Sequence, residues 1–293
     1  MHKSQITMAA LLESAFSHHA AREPKFWTVP PLIHVQELLW CVSVSSVTLL
    51  AYRAKRLQLS ATEPAVGART TAETALGALL FLFLPVNLFN KLVVMRFDVE
   101  RSFAEMFLPC HVYNAIAAFC LLATSPAARA TGYNLLLYCS WMPVMAMAFP
   151  DLGASRALTN PALRTFSTSL FWAHHVALLV VPIYAYRRSA AGRFSPLELR
   201  GAGFLRYLSF IYFFLGVFLG VLSLVLGRNF NYSLWPPNTL PAAMYPMLGG
   251  ARYRTTIGTA LAWVAGPLMR FAVVPALSGL WRLVVGEAKP KVS

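Results

Sequence analysis

Apolar residues along the chain gather in seven runs, at 32–52, 72–96, 105–125, 131–150, 166–187, 203–227 and 257–285. A helix of about 20 apolar residues, rising about 1.5 Å per residue, crosses the hydrocarbon core of a bilayer. The pattern therefore predicts an all-α fold, a polytopic membrane helical bundle of about seven transmembrane helices. The second run is interrupted by Pro85, Asn87, Asn90 and Lys91, and the last is long and broken by Pro267, Arg270 and Pro275. Spanning helices tolerate proline where neighbours satisfy the freed carbonyls. The expected organisation is an N-terminal segment 1–31, a seven-helix domain 32–285 and a short basic tail 286–293. The stretch 228–254, rich in Pro, Gly, Asn and aromatics, reads as an ordered interfacial loop, and long ordered loops are usually functional.

Composition sharpens this picture. Of 293 residues 57% are hydrophobic and only 12% charged, against about a quarter charged in soluble domains. The net charge of +14 would suit an anionic partner, but the basic residues sit mostly at span ends and in loops. That favours lipid headgroups and excludes nucleic acid, which wants a basic stripe on a soluble element. Loops 53–71 and 188–202 and the tail with Lys289 and Lys291 fall on one side of a seven-span chain. The positive-inside rule makes that side cytosolic, with the N-terminus lumenal and the C-terminus cytosolic. Residues 1–31 lack the apolar core of a signal peptide, so the first span is expected to act as its own insertion signal. The four cysteines, Cys41, Cys110, Cys120 and Cys139, form no CxxC pair and no disulfide framework. Neither a metal site nor a phosphate-cradling glycine motif is present, so no cofactor is expected. The sequence carries no internal repeat of the kind that marks many transporters.

Polar groups inside the spans are costly and each calls for a reason. In FLPCHVYN (107–114), Pro109 suits the first turn of a helix, where its missing N–H has no partner to lose. Cys110 then lies in that first turn, where free N–H groups and the helix dipole favour a thiolate. A membrane cysteine is more often a small apolar filler, so this stretch alone makes a weak case. Asn114 lies four residues on, over the same face. In FWAHHVALLVVPIY (171–184), His174 and His175 point about 100° apart, and either can serve as an interhelical hydrogen-bonding group or a general base. With spans three and five running the same way, Cys110 and His175 differ in depth by only about 6 Å, so the two can meet. His111 is a poor base for Cys110, because adjacent helix positions do not face each other. His34 and Glu37 in the first span are expected to pair with Lys91 or Arg270.

Four stretches in order resemble the transmembrane protein 164 family and, more loosely, the bacterial YwaF-like membrane proteins. They are LPCHVYN (108–114), HHVALLVVPIY (174–184), RNFNYSLWPP (228–237) and AGPLMR (265–270). The resemblance implies a membrane acyltransferase of the endoplasmic reticulum. Such an enzyme moves a polyunsaturated acyl chain from phosphatidylcholine to a lyso-ether phosphatidylethanolamine, and its products feed ferroptosis. It implies a cysteine nucleophile, matched by Cys110, and a histidine, matched by His175. The family has Gln where this chain has His174, and Lys where it has Arg270. His111, Asn114, His174, Asn229, Asn231 and Arg270 are the candidates for substrate binding or for stabilising the oxyanion. Membrane phospholipids are the expected partners, and the sequence is silent on oligomeric state.

Two other function classes fit the same spans. One is a non-enzymatic receptor, lipid carrier or scaffold, against which stands the lack of an extracellular disulfide pair. The other is a lipid hydrolase using the same Cys–His pair, with water replacing the lysolipid. A transporter fits less well, since few acidic residues lie within the spans.

Overall fold

The computed structural model describes residues 31–59, 68–150, 152–188, 201–226 and 252–285. All regular structure among them is helical: α1 (Pro31–Leu59), α2 (Thr71–Val94), α3 (Val99–Glu105), α4 (Pro109–Leu122), α5 (Pro126–Cys139), α6 (Trp141–Ala148), α7 (Gly153–Arg156), α8 (Pro161–Arg188) and α9 (Ala202–Leu226). The last helix, α10, opens at Tyr253–Ala260, passes through π-helical turns at Leu261–Ala265 and Met269–Val273, and ends as Val274–Val285. Six of these stretches are long and apolar enough to cross a membrane. The count becomes seven when the bent pair α3–α4 is one span. The chain is thus an all-α, multi-pass integral membrane protein, as the hydropathy pattern predicts.

The structure amends three of the predicted spans. The third is a bent pair rather than one rod, with α3 and α4 meeting at 64°. The break falls before Pro109, where Leu108 is held extended (φ −59°, ψ 147°). A proline ring pushes the residue before it out of the helical region, so the helix must restart there. The second span is not interrupted: α2 runs unbroken through Pro85 to Val94. The last is not broken at Pro267 or Pro275 either. It remains helical, with π turns absorbing the lost i→i−4 bonds.

The helices form two compact units. One takes the chain to Tyr52 with Leu205–Trp263, and the other takes Arg53–Phe204 with the chain from Val264 on. In the first, Ser45 Oγ donates to Ser209 O at 2.9 Å, and Glu37 accepts from the Thr255 N–H (3.2 Å) and hydroxyl (2.7 Å). Glu37 thus holds the free N–H groups at the start of α10, a favourable place for a carboxylate. Lys91, an expected partner of His34 or Glu37, instead takes Glu105, at 3.1 Å.

The second unit is built on α2 and α4. Gly77 meets Leu121 and Leu122, and Leu80 meets Asn114, so the two helices run antiparallel. Small residues let them approach: a Cβ on Gly77 would stand 2.9 Å from Leu122 Cγ. The same device recurs where Gly132 of α5 lies against the Cys120 side chain. Tyr113, Ala117, Leu121, Tyr133, Leu136, Leu137, Leu178 and Val181 fill the interior. Leu79, Leu82, Phe89, Val176 and Val180 point outward, as lipid-facing positions should.

Candidate functional site

Three helices of the second unit bring their polar residues to one level. The restart at Pro109 puts Cys110 and His111 in the first turn of α4. Cys110 is half-buried in that turn. The half-buried Lys91–Glu105 pair ties the end of α2 to the end of α3, just before the turn that leads to Cys110.

His111 is buried and stacks on His174 of α8, with ring centroids 5.3 Å apart and planes 11° from parallel. His174 also touches Phe83 of α2 (5.3 Å) and the edge of His175 (5.1 Å). His175 lies against Phe171 at 4.1 Å between centroids, and its Nδ1 is 2.7 Å from Phe171 O. A carbonyl only accepts, so Nδ1 carries the proton, and in the neutral ring Nε2 is the free acceptor. One turn into α4, Asn114 is fully buried and its Nδ2 donates to Leu80 O at 2.9 Å.

Four buried polar atoms in this region have no hydrogen-bond partner: His111 Nδ1, Asn114 Oδ1, His174 Nε2 and His175 Nε2. A buried polar atom left unpaired costs about 1–3 kcal/mol, and native proteins hold few of them. Four within one cluster mark a place where the fold gives up stability. Among the described residues, no group of three His, Cys, Asp or Glu side chains has the arrangement of a metal site.

The predicted site residues are thus partly assembled. The first turn of α4 meets the middle of α8, and the contact is made by His111 rather than Cys110. No hydrogen bond joins Cys110 Sγ to His174 or His175. Arg270 is buried in the second π turn of α10, and its guanidinium reaches Asn134 Oδ1 at 3.4 Å rather than the histidines. Asn229 and Asn231 lie outside the described residues. Sequence reasoning missed the Lys91–Glu105 pair. The signal was there: a lysine in an apolar run needs a carboxylate partner, and Glu105 is one of three that follow it closely, with Asp98 and Glu100.

The transmembrane protein 164 (TMEM164) family model matches residues 30–266, a range that includes the whole cluster. A curated relative, the transmembrane protein 164 homolog of Dictyostelium discoideum, is 26% identical over 201 residues, covering 68% of this chain and 67% of its own. No solved structure matches.

Proposed function

The chain belongs to the TMEM164 family, and on that premise we propose that it is a membrane-embedded phospholipid acyltransferase working through a cysteine thioester. The acyl donor in this reading is phosphatidylcholine, and the acceptor is a lyso (ether) phosphatidylethanolamine. The observation that carries the proposal is a half-buried thiol in a helix first turn, next in the chain to His111 of a histidine cluster in which each ring has one nitrogen without a partner.

In the first half-reaction the Cys110 sulfur attacks the donor's ester carbonyl. Its proton passes to His175 Nε2, the ring nitrogen left open by the bond to Phe171 O. Collapse of the tetrahedral adduct breaks the ester C–O bond, and the departing lysophospholipid oxygen takes that proton. In the second half-reaction the acceptor hydroxyl gives its proton to the same nitrogen and attacks the thioester. The C–S bond breaks and the thiol is restored. Charge developing on the carbonyl oxygen is stabilised by the N–H groups of the α4 first turn. Thiol and imidazole close to bonding distance when substrate is bound, as loose apo geometry commonly does. The proposed setting is an endoplasmic reticulum membrane with Cys110 toward the lumen.

The test pairs wild type with Cys110→Ala in detergent. Both receive phosphatidylcholine carrying a labelled sn-2 chain and a lyso-ether phosphatidylethanolamine, with products and intact protein read by mass spectrometry. Labelled ether phospholipid and an acyl adduct on wild type only are expected. Free fatty acid alone would reassign the chain as a hydrolase. A folded wild type giving neither product nor adduct would return it to the receptors, carriers or scaffolds.

A further inference from the structure

The four unpartnered atoms share a chemistry that narrows what they recognise. Two of the four are fixed as acceptors. Asn114 directs its nitrogen at Leu80 O, so its oxygen is the end left open. His175 directs Nδ1–H at Phe171 O, so Nε2 is its open lone pair. His111 Nδ1 and His174 Nε2, on rings stacked face to face, take either role by choice of tautomer. All four residues are at most 4% exposed, so bulk water does not serve them. His111 and Asn114 are three residues apart on one face of α4. That face is backed by α2 through Leu80 and Phe83 and by α8 through His174.

Acceptors held in a dry, apolar surround select a ligand that donates. They repel a carboxylate or a phosphate, whose oxygens also accept. An ester-bearing donor lipid leaves the two fixed acceptors, Asn114 Oδ1 and His175 Nε2, unserved, since both its ester oxygens only accept. A lipid alcohol offers one O–H, which can donate to an acceptor while its oxygen takes a proton from the second ring. We propose that the cluster of His111, Asn114, His174 and His175 binds the free hydroxyl of the acyl acceptor, so that the enzyme recognises a lysolipid by the group its product lacks. This rests on the acyl-transfer reading and adds the basis of acceptor choice. It also gives Asn114 a part other than oxyanion donor, because its open atom is an acceptor.

The inference is tested by binding rather than turnover. Full-length Cys110→Ala protein in micelles is titrated with a lyso-ether phosphatidylethanolamine and with its analogue lacking the sn-2 hydroxyl. The expected result is a preference of at least about tenfold for the hydroxyl-bearing lipid, the scale of one buried acceptor gaining or losing its donor. Asn114→Leu in the same background should bring the ratio toward one. If that variant does not fold, His174→Leu replaces it, with the same expectation. Equal affinities in Cys110→Ala would overturn the proposal and leave the four atoms to buried water. So would no binding of either lipid to protein with the wild-type melting curve. The two claims fail separately. An acyl adduct on wild type with equal affinities sinks the hydroxyl site alone. Discrimination without any adduct sinks the thioester mechanism and keeps the site.

Discussion

Two buried polar clusters sit in the same helical unit, and they are built on opposite plans. At the start of α2, Glu73 is fully buried, and its partners are all in place. It accepts from the Thr70 N–H (2.6 Å), from Tyr133 Oη (2.8 Å) and from Arg188 Nε (3.2 Å), and Thr70 Oγ1 bonds Tyr184 Oη at 2.8 Å. The other cluster, around His111 and His174, is as well buried but leaves four polar atoms open. A satisfied network in a low-dielectric interior fixes helices in place, whereas an unsatisfied one is a standing cost that a ligand can relieve. The comparison separates scaffold from site without reference to any relative.

The comparison predicts that substitutions at the two ends change different observables. The largest effect belongs to His175→Gln. If its Nε2 takes the proton from thiol and hydroxyl, acyl transfer should fall by about 10²–10⁴-fold, the usual contribution of a general base. The melting temperature should barely move. A parallel fall in melting temperature would make His175 a packing residue and break the contrast. Next comes Glu73→Ala, which strips the capping box of α2 and leaves the Tyr133 hydroxyl unpaired. The expected loss is about 2–3 kcal/mol of stability, discounted because Arg188 is partly solvent-exposed and screened. Thermal melting in detergent reads it, and transfer by the protein that remains folded should be normal. Unchanged melting would mean that the network is not what holds the ends of α2, α5 and α8.

Sequence periodicity carried most of the fold and only fragments of the site. Spans are legible because bilayer thickness imposes a length on any apolar helix. The bend at α3–α4 was also legible, since Leu108 precedes a proline, yet an unbroken apolar run across 105–125 hid it. Pro85 misled in the other direction: hydropathy does not reveal whether neighbours will satisfy the carbonyls that a proline frees. Glu73 has a local signature, Thr70-x-x-Glu73, that announces a capped helix start. Its partners Tyr133 and Arg188 lie 60 and 115 residues away, a pairing that no local pattern encodes. The depth argument from about 1.5 Å per residue brought the third and fifth spans to one level. It could not say that His111, rather than Cys110, would face His174, because that depends on helix rotation set by packing against α2.

The smallest predicted effect is the sharpest test of the contrast. His174→Leu removes one open nitrogen and keeps a side chain of similar bulk between His111 and Phe83. In a satisfied network such a change destabilises. In the Glu73 cluster, for instance, Tyr133→Phe should cost about 1 kcal/mol through the lost bond to the carboxylate. Around His174 the sign should reverse, because deleting an unpaired buried polar atom removes a penalty rather than a bond. The variant should melt at or slightly above the wild-type temperature, a gain on the order of 1 kcal/mol, while its preference for hydroxyl-bearing lysolipid weakens. Opposite signs at the two ends are the signature of a fold that trades stability for an open site. A clear destabilisation by His174→Leu would show that its nitrogen is already served within the folded protein, and the functional reading of the cluster would lose its physical basis.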